Sequence, residues 1–262
     1  MGDGDGGGLR SVSRAIRSLE LFAEHGELGV TDLGRRLGVH KATASRLAAT
    51  LAEHGLVERD PFTDRYRLGF GVIRLAGAAI ASLDLVSTSR SLLEELAEST
   101  RETVNLGVRS ADGVVYIDQV SGARSIVSVS WVGRRTPMHC SSNGKVLLAH
   151  MDETERDELL EPPLERLTSK TIVDPDVLRA QLDDIRRRGY AQTLDELEEG
   201  LNAVAAPIFG SDGAVVASLS VSGPAFRMRA VDLPRIARMT MDAATAASRR
   251  LGYSDRRRKA PG

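Results

Sequence analysis

Along residues 31–51, Thr-Asp-Leu-Gly-Arg-Arg-Leu-Gly-Val-His-Lys-Ala-Thr-Ala-Ser-Arg-Leu-Ala-Ala-Thr-Leu, the apolar positions fall into two short helical stripes separated by a break. Leu33 and Leu37 stand four apart behind Thr31 as the expected N-cap, which predicts a first helix with one buried face. Gly38 ends it, because glycine accepts the left-handed backbone just past a helix C-terminus, and Arg35 and Arg36 suit the negative end of the helix dipole. Ala44, Leu47, Ala48 and Leu51 then recur at i, i+3, i+4 and i+7. This predicts a second helix that keeps His40, Lys41, Thr43, Ser45 and Arg46 outward near its start. Upstream, residues 12–23 place Ile16, Leu19, Leu21 and Phe22 in a helix able to form the third wall of a small core. Downstream, residues 55–69 carry a loop with Pro61, Thr63 and Asp64 and predict a β-hairpin. Helix, turn, helix and hairpin in this order predict a winged helix-turn-helix over residues 9–69.

Residues 70–85 are mostly small and apolar, which suits a linker helix packed against another chain rather than one facing water. The pattern beyond them predicts an α+β domain over residues 86–252. Helices are expected at 86–100, 142–150, 155–160, 176–188 and 231–251. Strands are expected at 103–109, 114–120, 125–131, 190–194, 203–209 and 214–221. Gly210-Ser-Asp-Gly213 between the last two strands is a strong hairpin signal. The result is a mainly antiparallel sheet with helices packed on it, an arrangement that commonly holds a small ligand at one face. Residues 1–8, five of them glycine, are expected to form a disordered tail, and residues 253–262, with the run Arg256-Arg-Arg-Lys259, a solvated basic tail.

Composition sharpens this division. A chain of 262 residues can bury two cores, so the N-terminal module leaves most of it unexplained. The formal net charge of −1 argues against a uniformly basic nucleic-acid binder, but residues 10–74 hold 11 Lys/Arg against 8 Asp/Glu. A modest local excess predicts binding through a shaped site and a dimer more than through bulk electrostatics. Lys41 and Arg46 can donate to guanine or phosphate, and Thr43, Ser45 and His40 complete a groove-reading surface at the N-terminal end of a recognition helix. Arg59, Arg65 and Arg67 recur on the hairpin, where they would lie beside the phosphate backbone. One cysteine excludes an internal disulfide, and with no signal peptide or long apolar run a cytoplasmic protein without a membrane segment is expected.

Two other functional classes stand against a regulated DNA binder. One is a small-molecule-binding or enzymatic domain whose N-terminal helices mediate protein contacts; the other is a constitutive architectural DNA binder. His139-Cys140 beside Ser141 and Ser142 brings a nucleophile near a base in sequence. Neighbours on a strand point to opposite faces, however, and no Asp or Asn is placed to orient the histidine, so no enzyme is expected. The five His and one Cys show no metal-ligand spacing, and no metal or cofactor is expected.

Residues 189–210 resemble the signature of the IclR family of bacterial transcriptional regulators, its positions falling on Gly189, Thr193, Glu196, Ala203, Val204, Ala205, Ile208, Phe209 and Gly210. Thr193 and Gly210 depart from it, the second mildly because glycine serves a turn as Asn or Asp would. The resemblance continues through Gly133-Arg-Arg-Thr-Pro-Met-His-Cys-Ser-Ser-Asn-Gly-Lys145, Ser218-Leu-Ser-Val-Ser-Gly-Pro224, Arg65-Tyr-Arg-Leu-Gly69 and the winged helix, and so covers nearly the whole chain. It implies a GAF/profilin-like effector domain joined by the linker helix to the DNA-binding domain. It further implies a homodimer or tetramer on a palindromic double-stranded operator, a small organic or aromatic acid as effector, and the role of a repressor of a catabolic operon.

The implied ligand site has a physical logic. Ser141-Ser-Asn-Gly144 opens a helix, and the unpaired N–H groups of Ser142 and Asn143 at its positive end would hold a carboxylate. Ser220 and Ser222 alternate on one strand, so both hydroxyls point to the same face. The resemblance adds Leu201 and Ala203 to the pocket wall and puts Thr193 where many relatives carry an acid. It also places Ser128 and Thr136 at pocket positions that can be apolar in relatives. Binding is expected to reach the DNA through the linker helix, by altering the separation or angle of two recognition helices.

Overall fold

Leu33, Ala44, Ala48 and Leu51 are buried together with Leu21, Phe22, Leu28, Val57 and Tyr66, and this small core explains why the N-terminal elements fold as they do. The computed structural model describes residues 10–81, 84–111, 113–123 and 130–254. The chain divides into two compact units, 1–83 and 84–262. In the first, α1 (Arg10–His25), α2 (Val30–Leu37) and α3 (Lys41–Glu53) precede a two-stranded sheet of β1 (Val57–Arg59) and β2 (Tyr66–Leu68), and α4 (Phe70–Ala81) follows. Gly38 adopts φ 64° past the end of α2, the left-handed cap its position called for.

Three details of this unit differ from the sequence reading. Thr31 is not the N-cap of α2: the helix begins at Val30 behind Gly29, whose lack of a side chain leaves the first N–H groups uncapped. Ile16 is 54% exposed. The buried face of α1 runs through Ser18, Leu21 and Phe22, and two residues of offset turn Ile16 about half a turn away from it. The helix expected over 70–85 ends at Ala81, and α5 (Asp84–Thr100) begins two residues before the helix expected at 86.

The second unit adds β3 (Thr103–Ser110), β4 (Gly113–Val120), β5 (Arg135–Pro137), α6 (Ser142–Ala149), α7 (Glu153–Leu159), α8 (Pro175–Arg188), β6 (Ala191–Leu194), β7 (Leu201–Phe209), β8 (Val215–Pro224) and α9 (Leu233–Arg250). The six strands form one sheet in the order β5-β4-β3-β8-β7-β6, every ladder antiparallel. The strand expected at 125–131 falls largely outside the described residues. Its described end, Ser130 and Trp131, is not strand, and Val132 makes only an isolated bridge to Tyr116. The short edge strand β5 has no apolar alternation over its three residues, Arg-Thr-Pro, and so gave no periodic signal. The expected tail at 1–8 and all but the first two residues of the tail expected at 253–262 lie outside the described residues, and Tyr253 is not a solvated tail residue but stacks on Phe209, ring centroids 4.9 Å apart.

Strand alternation makes the sheet two-sided. On β8, Ala217, Leu219 and Val221 join Val104, Leu106, Val204, Ala206 and Ile208 in a core closed by Leu92, Leu93 and Leu96 of α5 and Leu233, Ile236 and Ala237 of α9. The intervening Ser218, Ser220 and Ser222 belong to the opposite face. There a second core joins Val114, Ala191 and Ala205 to Val146, Leu147 and Leu148 of α6 and Leu178, Leu182 and Ile185 of α8.

All eight residues of α6 are buried, which requires backbones to meet without side chains between them. A Cβ on Gly144 would overlap the Met138 backbone. We expect Gly144→Ala to destabilise this unit by about 1–3 kcal/mol. Urea unfolding followed through the fluorescence of Trp131, the one tryptophan, reads this loss, and an unshifted midpoint would contradict the packing described.

Candidate nucleic-acid interface and ligand cavity

Because Ala44, Ala48 and Leu51 turn inward, α3 must turn Lys41, Ser45 and Arg46 outward, and all three are exposed, with His40 exposed at the N-cap and Thr43 half-buried. His40 makes no capping side-chain bond, so the first N–H groups of the helix lie open beside these residues. Lys41 and Arg46 form no ion pair among the described residues, and their charge is uncompensated locally.

The hairpin is more self-contained. Asp60 Oδ1 accepts from the backbone N–H groups of Phe62 (2.8 Å) and Thr63 (2.9 Å), which shapes its loop and holds the Asp60 carboxyl below the usual range. Of its three arginines, Arg59 pairs with Asp64 at 2.9 Å and Arg67 with Glu58 at 3.7 Å, all exposed. Arg65 is exposed and forms no ion pair among the described residues. Periodicity placed all three on the wing; only the fold shows that two face acidic neighbours.

In the second unit, the serine face of β8 meets the N-terminus of α6. Ser141 caps that helix, accepting from Gly144 N–H at 3.2 Å and donating to the Pro137 carbonyl at 2.8 Å. The Asn143 amide reaches the sheet and donates to the Ser218 carbonyl (3.0 Å) and hydroxyl (2.9 Å). It passes over Gly107, where a Cβ would stand 3.1 Å from Asn143 Nδ2. Among the described residues, the backbone N–H groups of Ser142 and Asn143, at the positive end of the dipole, have no acceptor.

A cavity of about 20 Å³ lies beside them. Ser142, Asn143, Thr193, Leu201, Ala203, Ser220 and Ser222 all line it, so seven of the nine positions expected for the ligand converge. Thr136 does not line it: it is buried on β5, paired with Val114 on the far side of the strand that carries Tyr116. Ser128 lies outside the described residues. Sequence reasoning missed Asn105, Tyr116, Trp131 and Leu197 on the wall. Asn105 carried a signal, a polar residue between Val104 and Leu106 on β3 and hence on the serine face. Among the described residues, no Asp, Glu, Lys, Arg or His contributes to the lining.

One charged pair sits beneath the cavity and escaped the sequence reading. Lys145, fully buried on α6, donates to Glu196 at 2.5 Å and to Gln181 at 2.7 Å. Burial pushes the Lys145 ammonium down and the Glu196 carboxyl up, each opposed by the other's charge. A lysine in a helix reads as solvated, and only the fold reveals that it ties α6 to the segment between β6 and β7. Nearby, burial pushes the Cys140 thiol up to about 12, which leaves it protonated and unreactive. His139 bonds the Glu165 carbonyl at 2.8 Å rather than the thiol. Among the described residues no group of three His, Cys, Asp or Glu could hold a metal ion, and no helix is long and apolar enough to cross a membrane.

Comparison with known proteins covers both units. Residues 11–61 match the IclR helix-turn-helix domain, and residues 77–249 match the bacterial transcriptional regulator IclR C-terminal domain. The chain is 36% identical to the HTH-type transcriptional regulator BhcR of Paracoccus denitrificans, over 100% of this chain and 93% of that one. It is 33% identical to the HTH-type transcriptional regulator XynR of Escherichia coli, over 94% and 98%. A solved IclR homologue from Microbacterium hydrocarbonoxydans, complexed with 4-hydroxybenzoate, superposes with a TM-score of 0.82 at 29% identity, covering 93% of this chain and 100% of that one.

Removing one member of a buried ion pair strands the other charge, so we expect Lys145→Met to cost about 3–5 kcal/mol, and Lys145→Met with Glu196→Leu to recover much of it. A urea double-mutant cycle measures this; additive losses would mean that the two side chains do not depend on one another.

Proposed function

This chain belongs to the IclR family of bacterial transcriptional regulators, DNA-binding proteins rather than enzymes, and from that premise we propose that it is a repressor of a catabolic operon, released or retained by a small organic acid. The observation that carries the DNA half is the exposed, uncompensated pair Lys41 and Arg46 on a helix whose other face is core. In this reading α3 enters the major groove, with His40, Lys41, Thr43, Ser45 and Arg46 contacting base edges and nearby phosphates. Thr31, in the uncapped first turn of α2, and Arg65 on the wing contact phosphate. Arg59 and Arg67 exchange their exposed carboxylate partners for phosphate at little cost, because exposed ion pairs contribute little.

A homodimer or tetramer on a palindromic operator in the cytoplasm follows from the same reading. Phe70 (75% exposed), Ile73 and Leu75 on α4 and Val12 and Ile16 on α1 leave apolar side chains bare, a pattern that favours burial against a second copy.

For the effector half, the relative bound to 4-hydroxybenzoate supports an acid, and the free Ser142 and Asn143 N–H groups provide its anchor. The cavity of about 20 Å³ holds roughly one water. An acid therefore binds a state with displaced walls, and its preference for that state is what shifts the equilibrium between DNA-binding conformations.

Lys41→Ala or Arg46→Ala should weaken operator binding by about 1–3 kcal/mol while random DNA is affected less. Arg65→Ala should weaken both alike and reduce the salt slope by about 0.9. Fluorescence anisotropy at several salt concentrations separates these outcomes, and equal affinity of the wild type for operator and random DNA would sink the proposal. Ser220→Ala with Ser222→Ala should abolish the response of operator binding to the effector acid. A response that survives intact would remove the cavity from the mechanism.

A further inference from the structure

The tip of the hairpin between β1 and β2 carries an apolar side chain that packs into none of the cores described. Phe62 is 95% exposed, the most exposed large apolar residue among those described. The backbone that bears it is fixed. Asp60 Oδ1 accepts from the Phe62 and Thr63 N–H groups at 2.8 and 2.9 Å. The Asp60 N–H donates to the Arg65 carbonyl at 2.8 Å and the Asp64 N–H to the Asp60 carbonyl at 3.0 Å, with Asp64 at φ 59° completing the turn. Behind the ring, Arg59, Arg65 and Arg67 are exposed on the two limbs of the hairpin. The hairpin's carboxylates are already engaged, Asp60 by those N–H groups, Asp64 by Arg59 and Glu58 by Arg67. A rigid turn thus presents one bare aromatic ring, backed by cations.

We propose that Phe62 is a wedge for the DNA minor groove. With α3 in the major groove, the hairpin tip enters the flanking minor groove and the ring inserts at one base step, unstacking it and bending the duplex. This rests on α3 being the recognition helix and goes beyond the phosphate contacts given to the wing. The size of the feature selects the occupant. One phenylalanine buries about 150–250 Å², far short of the roughly 800 Å² that each partner gives to a stable protein interface. The minor groove is about 6 Å wide and too narrow for a helix, but a hairpin tip led by a single ring fits it. The charge agrees, since the arginines behind the tip suit the phosphates that border a groove. Apolar side chains in such a place wedge between base steps, the cost of unstacking being met by the added contacts of a bent duplex. A ring makes no hydrogen bond to a base edge, so it reads sequence through the ease of deformation. TA and CA/TG steps open most readily. Phe62 therefore sets a preference for such a step outside the base pairs read by α3.

The test uses the full-length protein and duplexes that it selects from a random-sequence library. Wild-type selection should return a TA or CA/TG step at a fixed distance outside each block of bases contacted by α3. Selection with Phe62→Ala should keep the block and lose the step. On a selected duplex, 2-aminopurine placed in turn along each flank should brighten at one step per half-site when the wild type binds, and energy transfer between end labels should report a bend. Phe62→Ala should abolish both signals and bind about tenfold more weakly, with an unchanged salt slope, whereas Phe62→Leu, which keeps an apolar wedge, should retain part of each. Because Phe62 lies outside the core, Phe62→Ala should keep the wild-type thermal midpoint, so a loss of binding reports the contact and not the fold. No brightening at any position with the wild type, or a Phe62→Ala that binds and bends DNA as the wild type does, overturns the wedge and leaves α3 as the reader. A Phe62→Ala that changes oligomeric state in sedimentation assigns the ring to a protein contact and overturns it equally. If no duplex is enriched over random DNA, the DNA-binding reading itself fails and this inference with it.

Discussion

Full burial of α6 is the constraint from which the second unit follows. A helix that enters the interior carrying Ser, Asn and Lys must find a partner for each polar group or leave it unpaired at a cost of a few kcal/mol. Ser141 spends its hydroxyl on the cap, Asn143 its amide on Ser218, and Lys145 its ammonium on Glu196 and Gln181. Each contact needs the helix closer to its neighbours than a side chain would allow, and Gly107 and Gly144 supply that clearance. With these groups satisfied, the polar groups of α6 without a partner among the described residues are those where the helix begins, beside the serine face of β8. The polar cavity is thus what remains after the rest of α6 has been paired.

The sheet beneath it separates two jobs. One face is closed by α5 and α9 over a continuous aliphatic core; the other carries the hydroxyls. The cavity walls differ in rigidity for the same reason. Ser218, Ser220 and Ser222 sit in central ladders bonded on both sides, whereas Trp131, Leu197 and Leu201 stand at or beyond strand ends. Lys145 and Glu196 lie at the junction, one on the fixed helix and the other on the segment that carries Leu197. A buried ion pair gives little net stability, but it fixes where that segment starts.

In the first unit the division is between packing and charge. Small residues on the inner face of α3 bring it against α2, and the outer face is free to hold cations with no local partner. The wing holds its arginines differently, two of the three paired to acids of the same hairpin, which keeps the local charge excess modest.

The elements of both units were legible wherever one face of a segment is apolar over several turns or strand residues. That holds for α2, α3, α5, α8 and α9, and for most of each strand from β3 to β8 other than β5, the first two residues of β7 and the last three of β8 lying outside the expected strands. Ser142, Asn143, Ser220 and Ser222 were legible too, because helix starts and strand alternation are local geometry. Where side chains depend on partners far along the chain, local pattern is silent. Ile16 belonged to an apolar stripe yet faces outward, Thr136 sits on an edge strand away from the cavity, and Asn105, Tyr116 and Trp131 join the wall only through strand register. The sequence by itself determined most of the stretches that become helix, strand and turn, since periodicity and capping act within a few residues, but not the edge strand β5. The tertiary structure alone decided that Lys145 is buried against Glu196, that Arg59 and Arg67 are paired, and that Asn105 bonds Ser222. Those outcomes are set by distances between residues as many as 51 or 117 positions apart, which no local periodicity encodes.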